Sequence, residues 1–154
     1  GKDTVVFKTP LVNNNDSVSV GTVVCIESIY SQFVSSFVKK GAEFIAVVTN
    51  DSWYGNSSGP YQHKSIGIIR AVENRRYVVR AANGGISCII NPLGETLKKS
   101  SMYTQDVIVG EIGLSKEITF YTKYPNIIIA ISIFVSLMVI VIFFSLKLKK
   151  LLKI

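Results

Sequence analysis

Between Ile127 and Leu146 the chain reads IIIAISIFVSLMVIVIFFSL, twenty residues without a charge, whose only polar side chains are Ser132, Ser136 and Ser145. At about 1.5 Å of rise per residue, a helix of that length spans about 30 Å, the thickness of a bilayer's hydrocarbon core. A core helix in a soluble domain carries a polar face, and this run has none. Its position far from the N-terminus excludes a secretory leader. The segment is expected to cross a membrane, and the residues before it to form a domain tethered there.

The flanks give the span a direction. Lys147, Lys149, Lys150 and Lys153 follow it, whereas Lys123 alone lies close before it. Positive flanks stay cytoplasmic, so residues 147–154 are expected to be a basic cytoplasmic tail and residues 1–125 to lie outside. Tyr121 and Tyr124 suit the outer interface, where amphipathic rings are favoured. The net charge of +7 divides into +4 on the tail and +3 on the rest, 13 basic against 10 acidic residues. No basic patch is interleaved with aromatic residues, which argues against nucleic acid as a partner. The tail lysines suit lipid headgroups instead. The chain opens on Gly1-Lys-Asp-Thr-Val-Val as if mid-domain, so an upstream portion carrying the export information is expected.

The preceding residues alternate strand and helix signals. Thr4–Lys8 reads as a strand and Leu11–Ser19, with three Asn and an Asp, as a loop. The apolar runs Val20–Cys25 and Glu43–Thr49 read as strands buried on both faces. Between them, Ile29–Lys40 places Ile29, Phe33, Phe37 and Val34, Val38 at helical spacing, with Gly41 as the stop. Asn50–Tyr61 reads as a loop. Gln62–Arg75 reads as a helix with Ile66, Ile69, Ala71 and Val72 as its apolar stripe. Tyr77–Ala82 and Gly85–Ile90 read as strands joined by a tight Asn83-Gly84 turn. A turn at Asn91-Pro-Leu-Gly-Glu95 and a strand over Gln105–Ile112 complete the pattern, and Ile118–Tyr124 leads to the span. The order fits an α/β sandwich with strands in sheets and helices outside.

Cys25 is the residue on which a chemical reading turns. A thiol at the exit of a buried strand, ahead of a helix, is a common place for a nucleophile, and attack requires a thiolate with a base or positive charge nearby. Glu27 is the nearest carboxylate; in an extended strand, residues two apart face the same side, which would bring it toward the thiol. The competing reading is an inert buried cysteine. The sole histidine, His63, reads as a hydrogen-bonded residue at a helix start rather than a catalytic group. It has no metal-ligand spacing around it, and with no Cys/His cluster in the chain neither a metal nor another cofactor is expected. Whether Cys25 and Cys88 pair is open at this level.

Several motifs follow Cys25 in a fixed order: Cys25-x-Glu27-Ser28, Thr49-Asn-Asp-Ser-Trp-Tyr-Gly55, Gly59-Pro-Tyr-Gln-His63, Arg70-Ala-Val-Glu-Asn-Arg-Arg-Tyr77, Asn83-Gly84-Gly85-Ile86 and an Asn-Pro-x-Gly-Glu turn. Over roughly residues 20–150 this set resembles the nitrilase (carbon–nitrogen hydrolase) superfamily. Within it, the closer resemblance is to the apolipoprotein N-acyltransferase family of bacterial inner membranes, since the single C-terminal span excludes most soluble relatives. The resemblance implies an α/β fold: the C-terminal portion of a nitrilase-like αββα sandwich over residues 1–120, then one transmembrane helix with an interfacial start over 121–146.

It also implies a chemistry. Cys25 would take an acyl chain from a phospholipid donor as a thioester and pass it to the N-terminal amine of a diacylglyceryl-modified apolipoprotein. Glu27 would be a further essential residue, and the backbone N–H of Ile26 would contribute to an oxyanion hole. Trp53 and Tyr54 match a loop aromatic pair that suits an acyl chain or membrane lipid, or else simply anchors the loop. Arg70, Glu73 and Arg75 are expected to be scaffolding, with Glu73 in reach of Arg70 or Arg76. A membrane-anchored amidase and a non-catalytic binding module are the rival functions.

The chain departs from the family pattern in front of Cys25. Family sites use a Glu base and an oxyanion-stabilising Lys upstream of the cysteine, and only 24 residues precede it here. Lys2 and Lys8 do not stand in the family's Lys context, and Asp3 and Asp16 match no Glu position. Residues 1–154 alone are therefore expected to lack the base. They are also expected to expose sheet edges and apolar faces that an upstream half of the same protein would cover.

Overall fold

In the computed structural model, which describes residues 3–11 and 16–151, six strands form one sheet in sequence order. β1 (Val6–Pro10) pairs antiparallel with β2 (Ser17–Val24), which runs parallel to β3 (Phe44–Asn50) and β4 (Val78–Asn83). β5 (Cys88–Ile90) and β6 (Thr96–Lys99) return antiparallel. Helix α1 (Ser31–Lys39) connects β2 to β3, and α2 (Gly59–Asn74) connects β3 to β4. Both crossovers advance the same way across the sheet, so right-handed connections put both helices on one face. Lys2, Lys153, residues 12–15 of the loop expected over Leu11–Ser19 and the side chains of Lys149 and Lys150 lie outside the described residues.

The core fills the space between that face and the helices. Val23, Ile45, Val47 and Val78 from the strands meet Val34, Phe37, Val38 and Ala71 from the helices. At Gly21 a Cβ would sit 2.8 Å from Phe37 Cβ, so α1 lies directly on β2. Gly41, at φ +96°, ends α1 as expected, because a left-handed residue there is free of Cβ strain.

The strands expected to be buried on both faces are buried on one. Val47 is 1% exposed and its neighbour Val48 50%; Val23 is 0% exposed and Val24 55%. Alternation follows from the pleat, and among the described residues no second layer covers the upper part of the open face. Its lower part lies under residues 100–119, where Ile112 and Leu114 share a pocket with Val18 and Phe44. That segment contains the expected strand over Gln105–Ile112, which does not form. It is an irregular strap whose backbone is held by side chains: Lys98 Nζ donates to the Val109 carbonyl (2.6 Å), and Arg76 Nη2 to that of Glu117 (2.7 Å).

Two further expectations are corrected. The tight Asn83-Gly84 turn is absent, because β4 continues to Asn83 to complete its parallel ladder with β3, ending at Asn50↔Asn83. The chain returns only at Arg80↔Cys88, after a wide loop in which Gly84 (φ +67°) lies against Ser52 and Gly85 against Asp51. Of the apolar stripe assigned to α2 only Ala71 lies in the core: Ile69 and Val72 are exposed, and His63, Gly67, Arg70 and Asn74 face inward beside Ala71. Their spacing is helical, but polar residues carry it, each with an internal partner. Arg70 Nη2 donates to Glu73 Oε1 (3.0 Å), and Asn74 Oδ1 accepts from Thr122 (2.9 Å). Burial pushes Arg70 down and Glu73 up from their ordinary pKa values, each opposed by the charge of the other. Arg76 does not join Glu73. It is 1% exposed and spends its guanidinium on the carbonyls of Ala42, Asn74, Arg75 and Glu117 and the hydroxyl of Ser115.

The chain divides into two compact units, Gly1–Lys123 and Tyr124–Ile154. The first ends in the short helix α3 (Phe120–Lys123), which packs on α1 and α2. The second is built around α4 (Ile127–Leu151), of which Ile127–Leu148 is long and apolar enough to cross a membrane. Ser132 and Ser136 donate to carbonyls four residues earlier (2.9 and 2.8 Å), so neither hydroxyl needs a partner in lipid. The helix continues through Lys147 to Leu151, so the basic segment begins inside it rather than as a separate tail.

Candidate active site

The carboxyl ends of the parallel strands β2, β3 and β4 lie side by side, the end of an α/β sheet where ligands generally bind. Cys25, Asp51 and Gly84 directly follow these three ends. Cys25 is not the last strand residue but the first of a 3-10 turn, Cys25–Ile29, and its φ is +48°. A left-handed backbone at a residue other than glycine costs about 1–3 kcal/mol and persists only where neighbours enforce it. The thiol is half-buried and free.

Glu27 does not reach the thiol by strand alternation, because the chain is already helical there. It folds back, and its Oε2 accepts the Val24 N–H at 2.8 Å, bridging the elbow from below the turn to the strand. Ile26 is the second residue of the 3-10 turn, where backbone N–H groups have no partner within the helix. The two loop aromatics separate. Trp53 is 85% exposed, whereas Tyr54 packs on Gly59, where a Cβ would come within 2.5 Å of its ring, and stands edge-on to His63 at 6.4 Å.

Beneath the elbow runs a buried polar chain. Ser28 Oγ donates to the Cys25 carbonyl (2.8 Å) and lies 2.9 Å from His63 Nε2, which is itself 3.3 Å from that carbonyl. His63 Nδ1 is 2.8 Å from Asp51 Oδ1, which also accepts from Thr49 Oγ1 (3.1 Å). Asp51 Oδ2 is bound by Arg80 Nη2, and Arg80 Nε donates to the Ile86 carbonyl (3.2 Å). Ser28, Asp51, His63 and Arg80 are each at most 3% exposed. His63 is thus hydrogen-bonded, as expected, but in the second turn of α2 rather than at its start. Ser28 and Asp51 stand within the ordered motifs but carry no assigned role there, and Arg80 stands outside them. The available signal was Arg80 itself, a charge inside a strand that otherwise reads as apolar.

Cys88 faces the core on β5, and burial pushes its thiol up from the ordinary range. Three strand spacings of about 4.8 Å separate β5 from β2, about 14 Å in all, too far for a disulfide with Cys25. Among the described residues no group of three His, Cys, Asp or Glu side chains is placed to hold a metal.

Comparison with known proteins places this architecture. The carbon-nitrogen hydrolase family model matches residues 1–120. The apolipoprotein N-acyltransferase of Chlorobaculum tepidum is 40% identical over 111 residues, covering 72% of this chain and 21% of the relative. That of Rickettsia bellii is 43% identical over 119 residues, covering 77% and 24%. The chain therefore spans about a quarter or less of the length of these relatives. Among solved structures, Nit3 of Saccharomyces cerevisiae, of the nitrilase superfamily, is similar with a TM-score of 0.51 at 18% identity, covering 66% of this chain and 38% of that one. An amidase from Nesterenkonia sp. AN1 gives 0.50 at 20% identity, covering 74% and 42%. At such identities the two structures speak for the fold alone. The family-model match over residues 1–120 makes the chain a member of the carbon–nitrogen hydrolase family.

Proposed function

We propose that this chain is the cysteine-bearing, membrane-anchored portion of an apolipoprotein N-acyltransferase. The observation that carries the reading is Cys25, held left-handed at the carboxyl ends of three parallel strands, in a chain 30–47% identical to enzymes of that name. The Cys25 thiolate attacks an ester carbonyl of a phospholipid. The C–O bond breaks, the lyso-lipid alkoxide leaves with a proton, and the acyl chain remains as a thioester. The N-terminal amine of a diacylglyceryl-modified lipoprotein then attacks that carbonyl, forming an amide and regenerating the thiol. The N–H of Ile26 faces the developing oxyanion, Glu27 fixes the elbow, and exposed Trp53 meets lipid while Tyr54 anchors its loop. The base and the oxyanion lysine come from an upstream half that also covers the open face of the sheet. The domain works on the outer side of the bacterial inner membrane, with the basic end of α4 in the cytoplasm.

In the full-length protein, an alkyne-tagged acyl phospholipid is expected to label Cys25 through a bond that hydroxylamine cleaves, and Cys25→Ala to abolish the label. Label persisting in that variant refutes the assignment. Residues 1–154 alone are expected to show no turnover with lipid and lipopeptide, and robust turnover would place the base within this chain.

A further inference from the structure

The polar chain beneath Cys25 is directed at the backbone of that residue and not at its sulfur. Among the described residues the Cys25 thiol has no hydrogen bond, whereas its carbonyl has two polar side chains within 3.3 Å, Ser28 and His63. This carbonyl belongs to the strained, left-handed residue. The support behind it is long for one oxygen: Asp51 fixes the His63 ring through Nδ1, and Arg80 fixes Asp51, so the elbow, α2, the loop after β3 and β4 converge there. A carboxylate accepts only, so Nδ1 donates to Asp51, and Nε2 faces the Ser28 hydroxyl, whose one proton is shared between Nε2 (2.9 Å) and the Cys25 carbonyl (2.8 Å). The other ring facing His63 is that of Tyr54, edge-on and without a hydrogen bond to it. Gly85 is part of the same device, since a Cβ there would come within 2.4 Å of Asp51 Oδ2.

We infer that Ser28, His63 and Asp51, backed by Arg80, are positioning residues. They hold the Cys25 carbonyl and thereby the backbone that aims the thiol, and none of them exchanges a proton with sulfur. The inference rests on the reading of Cys25 as the nucleophile, and it deepens that reading.

The test is alkylation of the full chain in detergent micelles by iodoacetamide, from neutral to alkaline pH, with Cys25 and Cys88 quantified separately by mass spectrometry. Cys88, 1% exposed, reports any general opening of the fold. In Ser28→Ala and His63→Gln the Cys25 rate is expected to fall about tenfold at every pH, as misaimed reacting groups do. The midpoint of the pH profile stays where it was, and Cys88 stays protected. A Cys25 rate equal to or above native, with Cys88 protected, overturns the inference. A moved midpoint with an unchanged plateau does so too, because it makes His63 act on thiol ionisation. If His63→Gln labels Cys88 as fast as denatured chain, Ser28→Ala decides alone, since it deletes one oxygen. The acyl-carrier reading fails separately: alkylation that behaves as expected without thioester formation sinks that reading and leaves the positioning role standing.

Discussion

Asp51 sits between two nitrogen donors, Arg80 on one oxygen and His63 on the other, with all three side chains out of water. Removing one member of a buried ionic group leaves the others desolvated and unpaired, which costs about 3–5 kcal/mol. Arg80→Met is therefore expected to destabilise the fold by that amount, and Asp51→Asn by a comparable one, while the double substitution costs clearly less than their sum. Chemical denaturation of the four species measures the coupling, and additive losses would show that the pair is not a unit. This group also marks where sequence reading stopped. Cys25 and the loop aromatics were legible because each stands at a break between an apolar run and a turn-rich one. The support beneath them was not, because its partners lie 12, 29 and 35 residues apart and meet only once α2 crosses the sheet.

The β3 strand places consecutive valines in opposite environments. Val47 points into the core under α1 and α2, and Val48 onto the open face. Val47→Ala removes two buried methyl groups and leaves a cavity, an expected loss of about 2 kcal/mol. Val48→Ala, half exposed in this chain, is expected to cost under about 0.5 kcal/mol. Urea melts of the two variants check this, and equal losses would mean that something covers the open face. The strand and helix order was legible because apolar runs ended by Gly, Asn and Lys clusters mark the βαβ units unambiguously. What failed did so for physical reasons. A continuous apolar strand looks the same whether one face is covered or two. A ladder to a third strand overrode the turn preference of Asn83-Gly84. The inward face of α2 is read from hydrogen-bonded residues that a hydropathy pattern counts as outward.

At the scale of the whole chain, function depends on which side of a membrane the sheet faces. The Ile127–Leu148 segment offers no charged residue before Lys147, so the choice falls to the flanks: Lys147, Lys149, Lys150 and Lys153 on one side, Lys123 on the other. Lysines near an anionic leaflet are worth about 1 kcal/mol each, and the asymmetry of three favours a cytoplasmic C-terminus. In the full-length protein, a membrane-impermeant maleimide added to intact spheroplasts is expected to label Cys25, because its thiol is half-buried rather than enclosed. Cys88 stays unlabelled, since it is buried and burial pushes its thiol up from the ordinary range. An epitope placed after Ile154 should resist external protease until the membrane is permeabilised. Digestion of that epitope in intact spheroplasts would invert the topology and move Cys25 to the cytoplasmic side. There the lipid donor is still present but an exported lipoprotein acceptor is not, so the proposed transfer would lose its second substrate.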